Sequence, residues 1–555
     1  LFSFRRFRQT SFRRFRQTSF RRFRERPAVA RTLTVAAALL VLFVLNAPNK
    51  LSGFTFGAFV RLPLEAVLGA VLVFVLPRRF RPVVAIVAGV LLSVLTVLKA
   101  IDMGFYWTLD RPFNPVTDWP LLTDAVEALK RSIGPAAAYG SIAGAVVAAI
   151  GISILLARAV LRLMRLAPSA TVKDSTRAVA VLVCVLLATQ VVSGAPLTAS
   201  TTATFAFNKA NQVYKGVQDR GEFEAENAAD AFRNTPRTQL LTGLHGKDVI
   251  LAFVESYGRV ALDDPELAPQ VNAALDAGSR QLTAAGFASR SAFLTSPTAG
   301  GGSWLAHSTL LSGVWIDNQQ RYTSLLATDR LTLSKAFHRA GWRTACVMSA
   351  VSQPWPEGAE FYGYDRLYLA QDLGYRGPRF NFDSVPDQYT LSTMHRLERA
   401  APGHDPVMTE IALMSSHGPW APLPHEVGWD ELGDGSVFAS IAESADPATA
   451  VWSEHNRIRQ AYAQSVAYSL QSLLSYVEDY GGDNLVLVFL GDHQPAPVIT
   501  GEGASRDVPI TIVAHDKAVL DRISSWGWQE GLKPGANAPV WPMNSFRDRF
   551  LAAFS

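Results

Sequence analysis

NLVLVFLGDHQP, residues 484–495, opens as an unbroken apolar run and closes on a glycine, an acid and an imidazole. Four more runs of the same kind stand in the second half of the chain: DVILAFVES (248–256), WRTACVMSA (342–350), EIALMSS (410–416) and VPITIVAHD (508–516). None alternates strictly, and the stretches between them, such as 328–340, 386–400 and 451–479, carry helical patterns. Apolar strands separated by helices predict a parallel sheet covered on both faces. In such sheets ligands bind at the carboxyl ends of strands. The polar residues stand where that rule puts them: Glu255-Ser256-Tyr257 after the first run, Ser415-Ser416-His417-Gly418-Pro419-Trp420 after another, and Asp492-His493 after the run quoted first. One strand-terminal acid is an ordinary cap or turn residue; three strands ending in metal-capable groups make a candidate cation site.

A fourth element joins them. In TSPTAGGGSWLAHSTLLSG (295–313), three glycines precede Ser303, and a helical pattern runs from Trp304 to Leu311. Ser303 is therefore expected at a helix N-cap, where the backbone can approach a ligand closely and an anion is favoured. Carboxylates, an imidazole and a hydroxyl together can hold a divalent cation and activate the serine for attack on phosphorus. Thr298 is the alternative nucleophile. His307, one helical turn after Ser303, shares its face; it reads either as a substrate contact or as an ordinary helix-surface residue. Trp420 reads as core or cleft wall, with a claim to line the pocket because it follows His417.

The first half of the 555-residue chain is of another kind. Hydrophobic residues make up 49% of the whole and charged residues 18%, below the ~25% usual for soluble domains. The apolar excess falls into five stretches, about 32–47, 57–77, 82–100, 137–160 and 177–195, each near the ~20 residues that cross a bilayer. Residues 1–31 hold eleven arginines and one acid within a FRRFRQTS repeat; they carry +10 of the net +5, leaving the remainder at −5. Two further basic segments, 77–81 and 158–177, fall on the same side under alternation, the cytoplasmic side. The basic balance thus reports membrane orientation and predicts no nucleic-acid partner. The expected organisation is a basic cytoplasmic tail (1–31), five transmembrane helices (32–195), a polar linker with some helix (196–245) and an extracytoplasmic α/β domain (246–555). Two cysteines, Cys184 and Cys346, exclude a disulfide scaffold and a cysteine-rich zinc site.

The motifs FVESYG (253–258), GGGSWLAH (300–307), SSHGPW (415–420) and FLGDHQP (489–495) resemble those of the sulfatase and alkaline phosphatase superfamily, most closely the lipoteichoic acid synthase-like membrane phosphoglycerol transferases. The resemblance implies an alkaline phosphatase-like sheet. It also implies one divalent cation, commonly manganese, with magnesium or zinc as alternatives, held by Glu255, Ser303, Asp492 and His493. His417 would contact the transferred group, and the substrate would be a membrane lipid head group or an envelope glycopolymer. Two departures stand out. The family's nucleophile is threonine where this chain has Ser303, and the segment 345–365 offers Trp355 but no matching His or Arg. Sulfatases that mature a formylglycine need Cys or Ser, any residue, Pro, any residue, Arg; Thr295-Ser296-Pro297-Thr298-Ala299 lacks the first and last of these.

Overall fold

The computed structural model describes residues 27–166, 198–382 and 384–555. The repeat of the tail (1–26) and the fifth expected span lie outside them. The chain divides into two compact units: Leu1–Phe105 with Arg111–Lys215, and Tyr106–Asp110 with Gly216–Ser555.

Among the described residues of the first unit, three helices are long and apolar enough to cross a membrane: Ala28–Asn46, Arg81–Leu109 and Pro135–Arg165. The stretch expected to span at 57–77 does not run through. Its helix, Leu64–Val75, has 12 residues and begins after Pro63, with Arg61 and Pro63 both extended. The proline ring disfavours helix at the residue before it, and its missing N–H ends the hydrogen-bond ladder. Residues 196–245, expected as a linker with some helix, contain the 28-residue helix Thr201–Ala228.

The second unit is built on a nine-stranded sheet. In chain order its strands are β1 (Asp248–Val254), β2 (Ala288–Thr295), β3 (Arg343–Met348), β4 (Arg366–Leu369), β5 (Val407–Leu413), β6 (Leu485–Gly491), β7 (Asp507–Ala514), β8 (Gln529–Glu530) and β9 (Val540–Pro542). The spatial order is β8-β2-β7-β6-β1-β5-β3-β4, with β9 also on β2. Strands β4, β3, β5, β1 and β6 pair in parallel as expected, but β7 runs antiparallel to β6 and β2 antiparallel to β7. The sheet is therefore mixed, not all-parallel. The last long apolar run looks like its neighbours because a central strand is buried on both faces in either direction; sequence alone does not encode its polarity.

Alternation along β1 sorts its side chains. Val249, Leu251 and Phe253 enter one apolar core; Ile250, Ala252 and Val254 enter the other. The first core is covered by α1 (Ser303–Ser312) through Leu305 and Leu310, and by α4 (Phe546–Phe554). The second is covered by α3 (His455–Tyr480), with α2 (Asp387–Met394) beside it. Since successive residues point to opposite faces, Glu255 belongs to the side of α1. Val486, Val488 and Leu490 of β6 lie on that side too, and the register Val254↔Gly491 makes Asp492 the neighbour of Glu255 in the next row. Strand period and register alone thus bring the two acids together on the face where Ser303 begins its helix.

Candidate functional site

Glu255, Asp492 and His493 are all buried, and each offers a ligand atom within 4.8 Å of the others. Ser303 Oγ donates to Glu255 Oε2 at 2.9 Å and lies 3.2 Å from His493 Nε2. His493 Nδ1 faces the Gln494 carbonyl at 2.8 Å. A carbonyl only accepts, so Nδ1 carries the proton and Nε2 turns its lone pair to the cluster, the arrangement of a metal-ligating histidine. Two carboxylates, one imidazole with a free lone pair and one hydroxyl form a mixed oxygen and nitrogen set suited to a divalent ion.

The electrostatics point the same way. Burial pushes the Asp492 carboxyl up, and the Glu255 charge beside it pushes further in the same direction. Burial also pushes Glu255 up, but the His493 and His417 imidazoles outweigh it and hold the group low. Burial disfavours the charged His493 ring, yet Asp492 and Glu255 raise it on balance. Two acids facing each other out of water need positive charge between them.

Ser303 is the first residue of α1; the cap itself is Gly302, in the left-handed region at φ 82°. The expected N-cap thus sits one residue earlier. Gly300 and Gly301 also have positive φ, at 72° and 150°, and the Gly300 N–H donates to the Gln494 carbonyl at 2.8 Å. The loop that delivers Ser303 is therefore tied to the segment carrying Asp492 and His493. Thr298 donates its hydroxyl to the Gly301 carbonyl at 2.6 Å, so it braces this loop.

His417 stacks on Phe382, 4.0 Å between ring centroids, and its charge acts on Glu255. The neighbouring Ser416 hydroxyl donates to the Glu255 carbonyl at 2.6 Å. Trp420 is 3% exposed, donates from Nε1 to the Ser416 carbonyl and stacks on Trp452. Its bond to the Ser416 carbonyl braces the loop that carries His417. Trp355 packs over Gly358 and beside Tyr362. His307 is buried, with Nδ1 2.7 Å from Glu410 Oε1; it is not a helix-surface residue.

Sequence reading missed Ser256, Asp387 and Glu410. Ser256 has φ 56°, a region rare for a residue with a Cβ. Its N–H donates to Asp492 Oδ1 and its hydroxyl to Glu255 Oε1, both at 2.8 Å, so it locks the two acids in place. Gly491 is the last residue of β6. A Cβ there would lie 1.8 Å from the Tyr257 carbonyl oxygen, so β1 and β6 can approach this closely only with glycine. Gly491→Ala is expected to destabilise the unit by about 2–3 kcal/mol through overpacking, read as a lower melting temperature of the full chain in detergent.

Asp387, fully buried at the start of α2, accepts from the Met414 and Ser415 N–H groups through Oδ1, at 2.7 and 3.1 Å, and from the Ser469 hydroxyl through Oδ2 at 2.6 Å. It thereby holds the root of the His417 loop. Burial pushes its carboxyl up to about 6. Because the folded state binds this proton more tightly than the unfolded chain, the protonated form favours folding. That stability is present below about pH 4 and is lost as pH rises through 6. Asparagine can keep all three bonds once the Ser469 hydroxyl turns to accept. Asp387→Asn is therefore expected to be more stable than the parent by about 2 kcal/mol above pH 6, with the gap closing toward pH 4, in melts run across that range.

Residues 275–506 match the Sulfatase family. The match covers 232 of the 555 residues. Among solved structures, the chain is similar to the lipoteichoic acid synthase LtaP from Listeria monocytogenes, 14% identical, covering 55% of this chain and 72% of that one with a TM-score of 0.35. It is also similar to the integral membrane protein lipooligosaccharide phosphoethanolamine transferase A (EptA) from Neisseria meningitidis, 13% identical over 94% of this chain and 95% of that one, TM-score 0.45. The phosphoglycerol transferase GacH of Streptococcus pyogenes is 12% identical over 60% and 91%, TM-score 0.34. No curated protein sequence matches the chain.

Proposed function

We propose that the domain matching the Sulfatase family is a metal-dependent phosphotransferase or phosphodiesterase that works outside the cytoplasmic membrane on a lipid head group or envelope glycopolymer, through a covalent phospho-Ser303 intermediate. The carrying observation is Ser303 Oγ at the first turn of α1, within reach of both Glu255 and His493. Glu255, Ser303, Asp492 and His493 would hold the cation, manganese by preference. When bound, it lowers the serine pKa and neutralises charge on the phosphoryl group. The hydroxyl of Ser303 attacks phosphorus, the P–O bond to one alcohol of the phosphodiester breaks, and that alcohol departs carrying a proton in exchange for the one the serine loses; the N-terminus of α1 favours the anionic group there; His417 contacts the transferred group. Water or a sugar or polyol hydroxyl then releases it. The apolar helices of the first unit and the basic flanks on one side support a membrane-anchored enzyme with this domain outside. The absence of a formylglycine sequence around Ser296 and Pro297 disfavours sulfate-ester hydrolysis.

The test uses the full chain in detergent, stripped with a chelator and assayed on bis(4-nitrophenyl) phosphate. Turnover is expected only after Mn2+, Mg2+ or Zn2+ is restored, and Asp492→Asn is expected to lose that response. Equal turnover with and without the cation would refute the proposal.

A further inference from the structure

The cation cluster leaves one buried carboxylate of the same core face unexplained. Glu410 stands in the middle of β5, 1% exposed. Its row runs Cys346↔Glu410↔Leu251 across β3, β5 and β1, and both neighbours belong to the core under α1. Glu410 thus points toward the helix that carries Ser303. Its two oxygens have one partner each: His307 Nδ1 on Oε1 at 2.7 Å and the Tyr364 hydroxyl on Oε2. Apolar residues in place of a buried ionic group often cost nothing in stability and sometimes gain it. Stability alone therefore gives no reason for an acid here.

His307 connects this group to the site. It follows Ser303 by one turn on α1, and its ring lies flat on Phe253, 3.6 Å between centroids at 14°. Phe253 precedes Glu255 by two residues on the same side of β1. One imidazole thus bonds to β5, the strand that leads to His417, and stacks on β1, the strand that leads to Glu255, while sitting on the helix that begins at Ser303.

We propose that His307, held by Glu410 and Tyr364, is the positioning residue that sets where the Ser303 hydroxyl stands relative to Glu255. The proposal rests on the phospho-Ser303 reading. A misplacement of about 1 Å at a reacting group can cost about 100-fold in rate, and the two anchors of His307, the Glu410 bond and the Phe253 stack, add to the helix packing that fixes the first turn of α1.

The experiment measures kcat, KM, Mn2+ affinity and melting temperature of the full chain in detergent with bis(4-nitrophenyl) phosphate. His307→Phe keeps the stack and removes the bond to Glu410. It is expected to lower kcat about 100-fold while KM and Mn2+ affinity stay within about threefold. His307→Asn, whose amide can donate to Glu410, is expected to recover kcat to within about tenfold. Residues that act as a unit are non-additive, so adding Glu410→Gln to His307→Phe is expected to cost no further rate. The proposal is overturned if His307→Phe keeps kcat within threefold, if the two substitutions add, or if kcat falls only together with Mn2+ affinity and melting temperature without recovery in His307→Asn. Should His307→Phe not fold, Tyr364→Phe decides: kcat reduced at unchanged Mn2+ affinity supports the clamp, and unchanged kcat sinks it. Ser303→Ala separates the two levels. If it retains turnover, the phosphotransfer reading fails; if it is inactive while the His307 and Tyr364 variants are unaffected, only the clamp fails.

Discussion

Ser303→Ala is expected to lower phosphodiester turnover by on the order of 10,000-fold, the largest effect of any single substitution in this chain. The reason is positional as well as chemical. Ser303 Oγ is the hydroxyl bonded to Glu255 at 2.9 Å beside His493 Nε2, and alanine leaves no oxygen there to attack phosphorus. Glu255, Asp492 and His493 keep their places, because Ser256, Gln494 and the strand register hold them independently. Mn2+ binding is therefore expected to weaken far less than turnover, which calorimetry on the metal-free variant checks. Thr298→Ala is the matching control. Its hydroxyl is committed to the Gly301 carbonyl, so the expected loss is within about tenfold, from a loosened loop. The reverse pattern, Thr298→Ala inactive and Ser303→Ala active, would move the nucleophile.

The second large effect is on stability. Arg547→Ala is expected to destabilise the second unit by about 3–5 kcal/mol, seen as a lower melting temperature of the full chain by tryptophan fluorescence. The Arg547 side chain is fully buried and pairs with Asp230, itself 2% exposed, at 2.7 Å; it also donates to the Leu331 carbonyl at 2.6 Å. Alanine would take away the guanidinium that pairs with the Asp230 carboxylate and leave it the Phe232 and Leu331 N–H groups. Burial pushes that carboxyl up, but the Arg547 guanidinium outweighs it and holds the group below its ordinary value. A depressed carboxyl contributes stability above the unfolded pKa, near 4, and loses it as pH falls through the lower folded value. The parent should therefore lose stability on acidification below about pH 4, and Arg547→Ala should lose that part of its pH dependence. Adding Asp230→Asn to Arg547→Ala removes the buried charge and is expected to recover part of the loss.

How far the sequence reaches is clearest at the strands. β1, β3, β5, β6 and β7 are continuous apolar runs that break abruptly into polar residues, so both the strands and the groups at their ends were legible. β2 was not, because its first half, Ala288-Ser289-Arg290-Ser291, carries no apolar signal, and β8 and β9 are only two and three residues long. The antiparallel sense of β7 leaves no mark in a strand buried on both faces. Five apolar stretches became three helices of spanning length among the described residues because Pro63 interrupts one of them and another lies outside those residues. The helix Thr201–Ala228 is polar enough along its length to read as a linker. At the site, Glu255, Ser303, Asp492 and His493 announced themselves through motif and position. Ser256 did not, since a left-handed serine looks like any turn residue. Nor did the pairing of His307 with Glu410, 103 positions apart, because an acid in the middle of an apolar strand shows its partner only once the sheet is assembled.

The central claim, a covalent phosphoryl transfer through Ser303, is tested most directly by trapping the intermediate. Full-length protein loaded with Mn2+ is mixed with a phosphodiester, quenched in acid during turnover, digested and mapped by mass spectrometry. The account predicts a phosphoryl-ester adduct on the peptide containing Ser303, dependent on Mn2+ and missing in Ser303→Ala. Turnover without an adduct, or an adduct on Thr298 in its place, would contradict it.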